Sequence, residues 1–372
     1  MDWTRERVGG SRGSEHRCNI DPRCLNPKKD LSPSRPRPTG GPAGCPGLPR
    51  AERPARRTPA GARPVGDRIR RKGGASTPAE RDSFRADDGT RLVSYEAGER
   101  RGPPLVLCGG LGGGFAVWRP VVERFGRRFR VLAWDYRGLY ASERPRRQRS
   151  VAMRHHVRDL LALLRHKRVE APVLVGWSMG VQLGLELHRS HPKLPRAFVG
   201  LFGTAGRPFE TAFDAGVAPR VASGVLGALR VVGTRLRGVG PYLARAPGVA
   251  RAFVRMGREL GMMAPSLDVA AFREIAEEWT RLDLALYADH FEALGRHDAS
   301  DLLPRIHTPT LLIAGGRDRL TPPHLAERMA RSMPDADFEL LPDATHFGLL
   351  EVPDAIVTRM ARFAEECLGI DV

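Results

Sequence analysis

Short apolar runs alternate with segments of helical periodicity along most of the chain. The runs are typical of buried strands and lie at 104–108, 129–134, 172–176, 197–201, 310–314 and 338–341, and alternation of apolar and polar residues predicts a further strand at 91–96. Helical periodicity indicates helices at 118–125, 150–169, 179–191 and 352–367. Near-continuous apolar strands that alternate with helices predict an α/β fold, in which a mostly parallel central sheet carries helices on both faces.

The strand signals stop between residues 203 and 305, where helical segments are predicted at 221–232, 249–263 and 268–294. An interruption of this kind predicts a helical lid at 203–305, inserted between two parts of the α/β core at 83–202 and 306–372. The segment 225–232 is apolar and has arginines nearby, so it could instead lie on a membrane surface. Apolar stripes on helices more often pack into a core.

Residues 1–80 differ in composition from the rest of the chain. They contain 12 of the 31 prolines and 11 glycines, and they carry 18 Lys and Arg against 8 Asp and Glu, which accounts for +10 of the formal net charge of +18. Such a tail cannot bury enough apolar surface to offset the entropy of ordering, so we predict disorder over residues 1–80 and order from near Ser83. The tail is either a partner-binding arm or the product of a misassigned start codon, and we favour the second.

Charge and cysteine content narrow the class of protein. No apolar run approaches the ~20 residues that span a bilayer, and the first residues lead into no signal-peptide core. Five scattered cysteines form a poor disulfide framework, and no Cys or His spacing indicates zinc. We therefore expect a cytoplasmic protein without a transmembrane segment. The basic charge is not accompanied by a nucleic-acid motif, so no specific nucleic-acid partner is expected. The pattern does not determine the oligomeric state.

The sequence Gly176-Trp177-Ser178-Met179-Gly180 stands between a predicted strand and a predicted helix. A serine flanked by glycines in that context is the pattern of a nucleophile elbow, a sharp turn that exposes the hydroxyl above the sheet edge. Ser178 is therefore the candidate nucleophile.

Two further residues offer the partners that a serine nucleophile requires. Asp318 and His346 each follow a predicted strand, so they share with Ser178 the carboxyl edge of the sheet. Alone, Asp318 could cap a turn and His346 could be an ordinary loop histidine. Together, in the chain order Ser, Asp, His, they predict a catalytic triad.

An acyl-transfer site also needs N–H donors for the oxyanion. The N–H of Met179, at the start of the elbow helix, is one candidate. The glycine-rich loop after the strand at 104–108 offers the second, and we predict the N–H of Gly110. A phosphate-binding loop is the alternative interpretation, but no Gly-Lys-[Ser/Thr] follows.

These motifs resemble the α/β-hydrolase superfamily, in its lidded serine esterase, perhydrolase and C–C hydrolase branch. The resemblance covers about residues 85–368 and implies Ser178 as nucleophile, Asp318 as acid and His346 as base. Residues 135–142, Asp-Tyr-Arg-Gly-Leu-Tyr-Ala-Ser, are similar to the family's structural Asp-x-Arg-Gly-x-Gly-x-Ser loop.

The chain departs from the family pattern at three positions. Cys108 replaces the histidine of the family's His-Gly oxyanion motif, Tyr140 replaces a glycine, and Val181 stands where glycine is common after the elbow. None of these changes removes a triad member or a backbone donor. Tyr140 is expected to narrow the pocket.

The resemblance implies a serine hydrolase that cleaves a small or medium acyl ester and needs neither a cofactor nor a metal. C–C bond hydrolysis, perhydrolysis, thioester cleavage and acyl transfer use the same triad, so these activities stay open. A small-molecule receptor on the same fold is an alternative from a different functional class.

Overall fold

The structure is a computed structural model that describes residues 79–146, 150–212, 224, 227–228, 231, 248–279 and 282–372. Eight strands form one sheet: β1 Glu80–Arg85, β2 Arg91–Gly98, β3 Pro104–Cys108, β4 Arg130–Trp134, β5 Val173–Trp177, β6 Ala197–Leu201, β7 Thr310–Gly315 and β8 Ala336–Leu341. Their spatial order is β1-β2-β4-β3-β5-β6-β7-β8. Strands β3 to β8 are parallel, and β2 is antiparallel to both neighbours. The predicted mostly parallel α/β sheet is confirmed.

Strand β1 is the one strand of the sheet that the apolar pattern missed. Its sequence is Glu-Arg-Asp-Ser-Phe-Arg, and Phe84 is its one buried residue. Because β1 lies at the sheet edge, where it pairs with β2, most of its side chains face solvent and leave no apolar signature. Strand β1 begins at Glu80, before the predicted Ser83.

Helices cover both faces of the sheet. The α-helices of seven or more residues in the described part of the chain are α1 Arg119–Phe125, α2 Met153–Lys167, α3 Met179–Ser190, α4 Val249–Glu259, α5 Val269–Trp279, α6 Leu284–Arg296, α7 Pro323–Ser332 and α8 Pro353–Leu368, and short helical turns lie at Pro208–Thr211 and Gly348–Glu351. Strands β5 and β6 are buried along their whole length. Two hydrophobic clusters, one on each side, account for that burial and explain why these strands read as unbroken apolar runs.

The helical segment predicted to interrupt the core lies between β6 and β7. Its two ends meet in an antiparallel bridge between Gly206 and Asp298. The Arg207 N–H donates to the carbonyl of His297 over 2.8 Å, and the Ala299 N–H donates to that of Ala205 over 3.0 Å. The chain therefore leaves the sheet and returns to it at one point, as an insertion must. We call residues 205–299 the lid segment.

The prediction of one helix across 268–294 is wrong, because two helices, α5 and α6, occupy that range. Asp283 starts the second helix, since its carboxylate accepts the N–H groups of Ala285 and Leu286 at 3.1 and 3.2 Å. The predicted helix at 221–232, its membrane-binding alternative and the tail at 1–78 lie outside the described residues, apart from four isolated positions of that helix. Within the described residues, every helix is too short or too polar to cross a bilayer.

Two buried histidines join the lid segment to the core. His156 of α2 and His290 of α6 pack with ring centroids 5.2 Å apart, and both are buried. His290 Nδ1 bonds the carbonyl of Leu286 at 2.8 Å. Burial lowers the pKa of His290 to about 4, with nearby Asp289 opposing and Arg137 reinforcing the shift. Burial, with the charges of His290, Arg137 and His155, also lowers the pKa of His156.

We expect this pair to make the fold sensitive to acid. The folded-state pKa of His290 lies below the unfolded value of about 6.5, so unfolded chains bind the proton first. The free energy of unfolding is therefore highest above pH 6.5, where His290 is neutral in both states, and it falls as the pH is lowered toward 4. His290→Gln should therefore lose about 2 kcal/mol less unfolding free energy than the parent between pH 7.5 and 5.0, measured by urea denaturation.

The exposed His324 provides the matched control. His324→Gln should retain the parent's dependence of stability on pH. Identical pH slopes for the parent and His290→Gln would contradict the prediction.

Candidate active site

Ser178 occupies the sharp turn between β5 and α3. Its backbone lies in the left-handed half of conformational space, at φ 54° and ψ −111°. A Cβ atom on Gly180 would come within 2.0 Å of the Cys108 carbonyl oxygen, and one on Gly176 within 2.4 Å of the Gly180 carbonyl oxygen. Only glycine fits at these two positions, and the predicted elbow geometry is present.

The structure brings the three predicted triad residues together. His346 Nε2 lies 2.9 Å from Ser178 Oγ, and His346 Nδ1 lies 2.9 Å from Asp318 Oδ2. Asp318 follows β7 and His346 follows β8, so the carboxyl ends of three parallel strands supply the side chains. The three residues form one continuous hydrogen-bonded chain that can carry a proton away from the serine hydroxyl.

The Asp318 carboxylate is fully buried and accepts four donors. Besides His346, the backbone N–H groups of Leu320 and Thr321 donate to Oδ1 at 2.9 and 2.8 Å. The Thr321 hydroxyl donates to Oδ2 at 2.7 Å. These bonds fix the carboxylate so that it faces the imidazole. Sequence reasoning missed Thr321, whose position in the Asp318 turn was its only signal.

Trp177 contacts both His346 and the glycine-rich loop. Its indole N–H donates to the His346 carbonyl oxygen at 3.1 Å. Its ring occupies the space where a Cβ atom on Gly110 or Gly113 would lie, at 2.7 and 2.4 Å. The motif placed Trp177 next to the nucleophile but did not indicate this role.

The two predicted oxyanion donors lie on adjacent strand ends. Cys108 of β3 pairs with Gly176 of β5, so Gly110 and Ser178 each follow two residues after the same rung of the sheet. Met179 is the first residue of α3, whose N-terminus favours negative charge. We call residues 109–114 the glycine loop.

A model of the alpha/beta hydrolase family matches residues 105–359. The chain belongs to this family. It is 26% identical over 270 residues to a protein of Azorhizobium caulinodans named "Putative carbamate hydrolase RutD", covering 71% of this chain and 92% of that protein. It is 26% identical to "Putative non-heme bromoperoxidase BpoC" of Mycobacterium tuberculosis, covering 70% of this chain and 94% of that protein.

Solved structures share the fold of this hydrolase. An esterase from Exiguobacterium antarcticum superposes with a TM-score of 0.62 at 18% identity, over 76% of this chain and 98% of that one. An enol-lactonase from Burkholderia xenovorans superposes with a TM-score of 0.59 at 23% identity, over 76% and 99% of the two chains. At these identities the likeness extends to the fold alone.

The hydrolase accommodates Cys108 and Tyr140, two of its departures from the family pattern, without disturbing the triad. Cys108 is fully buried, and burial raises the pKa of its thiol, so it stays protonated and unreactive. Tyr140 adopts a left-handed backbone with φ 51°, the conformation a glycine takes most easily. Burial raises the pKa of its phenol.

The loop at 135–142 is held by its own polar side chains. The Asp135 carboxylate accepts the Tyr95 hydroxyl at 2.9 Å and the Ala141 N–H at 3.1 Å. Arg137 forms a buried ion pair with Asp159, with its Nε 2.8 Å from Asp159 Oδ2. These contacts support the expected structural role of the loop.

A buried carboxylate that sequence reasoning missed supports the loop of the base. Glu351 accepts the Thr345 N–H and hydroxyl, both at 2.7 Å, and the N–H of Ala264 in the lid segment at 2.8 Å. Thr345 precedes His346, so Glu351 connects the lid segment to the His346 loop. Nothing in the local sequence distinguishes it from the exposed acids of α8.

We expect Glu351→Gln to destabilise the hydrolase by about 2 kcal/mol. The amide replaces one accepting oxygen by a donor that faces N–H and O–H groups, so a buried donor is left unpaired. Urea denaturation measures the loss. Glu365→Gln is the matched control, because Glu365 is exposed, and it should change stability by less than about 0.5 kcal/mol. Equal stabilities of the two variants would refute the role of Glu351.

Proposed function

We propose that this hydrolase is a serine hydrolase that cleaves a small or medium acyl ester through an acyl-enzyme. Ser178 is the nucleophile, His346 the general base and then acid, and Asp318 the residue that orients the imidazole. One contact carries the proposal: His346 Nε2 lies 2.9 Å from Ser178 Oγ, within reach of the proton that must be removed.

Acylation begins when Ser178 Oγ attacks the ester carbonyl carbon and its proton passes to His346 Nε2. Asp318 accepts the Nδ1–H and stabilises the imidazolium that forms. The N–H groups of Gly110 and Met179 donate to the carbonyl oxygen as it becomes an oxyanion. The tetrahedral intermediate then collapses, the ester C–O bond breaks, and the leaving alcohol takes the proton from Nε2.

Deacylation repeats these steps with water as the nucleophile. His346 Nε2 removes a proton from water, whose oxygen attacks the acyl carbon of the Ser178 ester. The second tetrahedral intermediate collapses to the free carboxylic acid, and Ser178 Oγ recovers its proton from Nε2. The cycle consumes one water molecule and needs neither metal nor cofactor.

The surroundings of the glycine loop favour an apolar acyl substrate. A Cβ atom on Gly112 would lie 3.4 Å from the Trp279 ring and 4.0 Å from the Tyr287 hydroxyl. Aromatic side chains are typical of the lining of pockets that bind apolar ligands. The name of the similar Azorhizobium caulinodans protein, a putative carbamate hydrolase, also supports attack at a carbonyl carbon.

Other acyl chemistries use the same triad, and a substrate panel distinguishes them. p-Nitrophenyl esters and acyl thioesters of graded chain length measure hydrolysis, added alcohols measure acyl transfer, and added hydrogen peroxide measures peracid formation. A receptor on the same fold would bind ligand stoichiometrically without releasing product. Preferred turnover of short or medium esters in water alone is the result that the proposal requires.

We expect Ser178→Ala to lower kcat/KM for p-nitrophenyl butyrate by at least about 10⁴-fold, because no other atom can form the acyl-enzyme. The variant should also lose covalent labelling by a fluorophosphonate probe, read by intact-protein mass spectrometry. Asp318→Asn should retain labelling at a rate lowered by several orders of magnitude, because the imidazole loses its partner.

Ser190→Ala is the matched control, because Ser190 lies at the end of the helix that follows Ser178 and its hydroxyl bonds, among the described residues, the Leu187 carbonyl and His191. It should leave both rates unchanged. Undiminished labelling of Ser178→Ala would show that another residue is the nucleophile.

A further inference from the structure

Helix α5 of the lid segment makes contacts near both loops of the candidate site. Just before its first turn, the Ala264 N–H bonds Glu351 and the Asp268 N–H donates to the carbonyl of Leu350 at 3.1 Å. At its other end, Trp279 lies against the glycine loop. The segment from Ala264 to Trp279, which includes α5, therefore joins the neighbourhood of the proposed base to the loop that carries the proposed oxyanion donor.

The contact between Trp279 and the glycine loop is specific. The indole Nε1–H donates to the Gly112 carbonyl oxygen at 2.6 Å, a short bond for an N–H donor. Glu278, the residue before Trp279, also lies close to the loop. A Cβ atom placed on Gly114 would come within 2.1 Å of the Glu278 carboxylate. The end of α5 thus lies directly on the loop.

The glycine loop needs such contacts because Leu111 is its only residue with a side chain that packs into the core. Five of its six residues are glycine, Leu111 being the exception, and glycine loses more backbone freedom on ordering than any other residue. The core holds the loop from below, since the Tyr136 hydroxyl donates to the Gly109 carbonyl at 2.7 Å and the Trp177 ring packs beside Gly110. Trp279 holds it from the lid side.

We propose that Trp279 is a positioning residue, through which the lid segment fixes the glycine loop so that the Gly110 N–H points at the developing oxyanion. The inference rests on the proposed function, because a preorganised donor matters only if an oxyanion forms. A donor that is already oriented stabilises the transition state without reorganising during the reaction. Loss of the indole N–H should therefore weaken transition-state binding more than substrate binding.

The packing around Trp279 permits a clean substitution. Its ring meets Phe272 edge to face at 5.8 Å, and Phe272 in turn meets Phe347, the neighbour of His346, at 6.0 Å. Trp279→Phe keeps an aromatic ring in this row and removes the N–H. The same exchange at Trp134, whose buried indole N–H has no hydrogen-bond partner among the described residues, is the matched control.

The experiment compares the parent, Trp279→Phe and Trp134→Phe in p-nitrophenyl ester hydrolysis and in binding of a trifluoromethyl ketone. That inhibitor forms a tetrahedral adduct whose oxyanion occupies the proposed hole. We expect Trp279→Phe to lower kcat about 10-fold, to change KM less than twofold and to lower the affinity for the ketone about 10-fold. The loss is smaller than the roughly 10²–10³-fold effect of removing an oxyanion donor, because the Gly110 N–H is still present. Trp134→Phe should leave kcat and the ketone affinity within twofold of the parent.

Two results would overturn the inference: unchanged kcat and ketone affinity in Trp279→Phe, or equal losses in Trp134→Phe. A loss confined to KM would also overturn it, because it would indicate a role in substrate binding alone. Circular dichroism melting verifies that each variant is folded at the assay temperature, and Trp279→Leu serves in place of an unfolded phenylalanine variant. Persistent labelling of Ser178→Ala would instead refute the proposed function.

Discussion

The close approach of α3 to the end of β3 constrains everything else in the candidate site. Gly180 lies so near the Cys108 carbonyl that a methyl group would come within 2.0 Å of the oxygen. This contact brings the N-terminus of α3 beside the start of the glycine loop and forces Ser178 into a left-handed conformation with its hydroxyl clear of the sheet. The strained backbone conformation of Ser178 is maintained because β5 and α3, on either side of it, fix the path of the chain.

Three loops from distant parts of the sequence meet at this point, and buried polar contacts hold each of them. Asp318 is fixed by its own turn, the His346 loop by Glu351 and Trp177, and the glycine loop by Tyr136 and Trp279. Two of these contacts extend to the lid segment, since Glu351 bonds Ala264 and Trp279 belongs to α5. The lid segment is thus part of the support of the site.

Local patterns predicted the fold and the principal site residues because the signals are local. Buried parallel strands appear as apolar runs, and the elbow needs a serine and two glycines within five residues. The pattern missed edge strand β1, because most of its residues are exposed and several are charged. It also missed the break before α6, because Asp283 caps a new helix within a continuous helical periodicity. The supporting residues Thr321, Glu351 and Trp279 have no local signature, because their roles depend on partners up to 167 residues away.

By itself, the sequence determined the α/β class and the candidates Ser178, Asp318 and His346, in that order along the chain. It could do so because strand ends and short motifs are properties of adjacent residues. Tertiary structure alone decided that His346 Nε2 lies 2.9 Å from Ser178 Oγ and that Trp279 bonds the glycine loop. Those contacts join residues far apart in the chain, and only the packing of the sheet, its helices and the lid segment sets their distances.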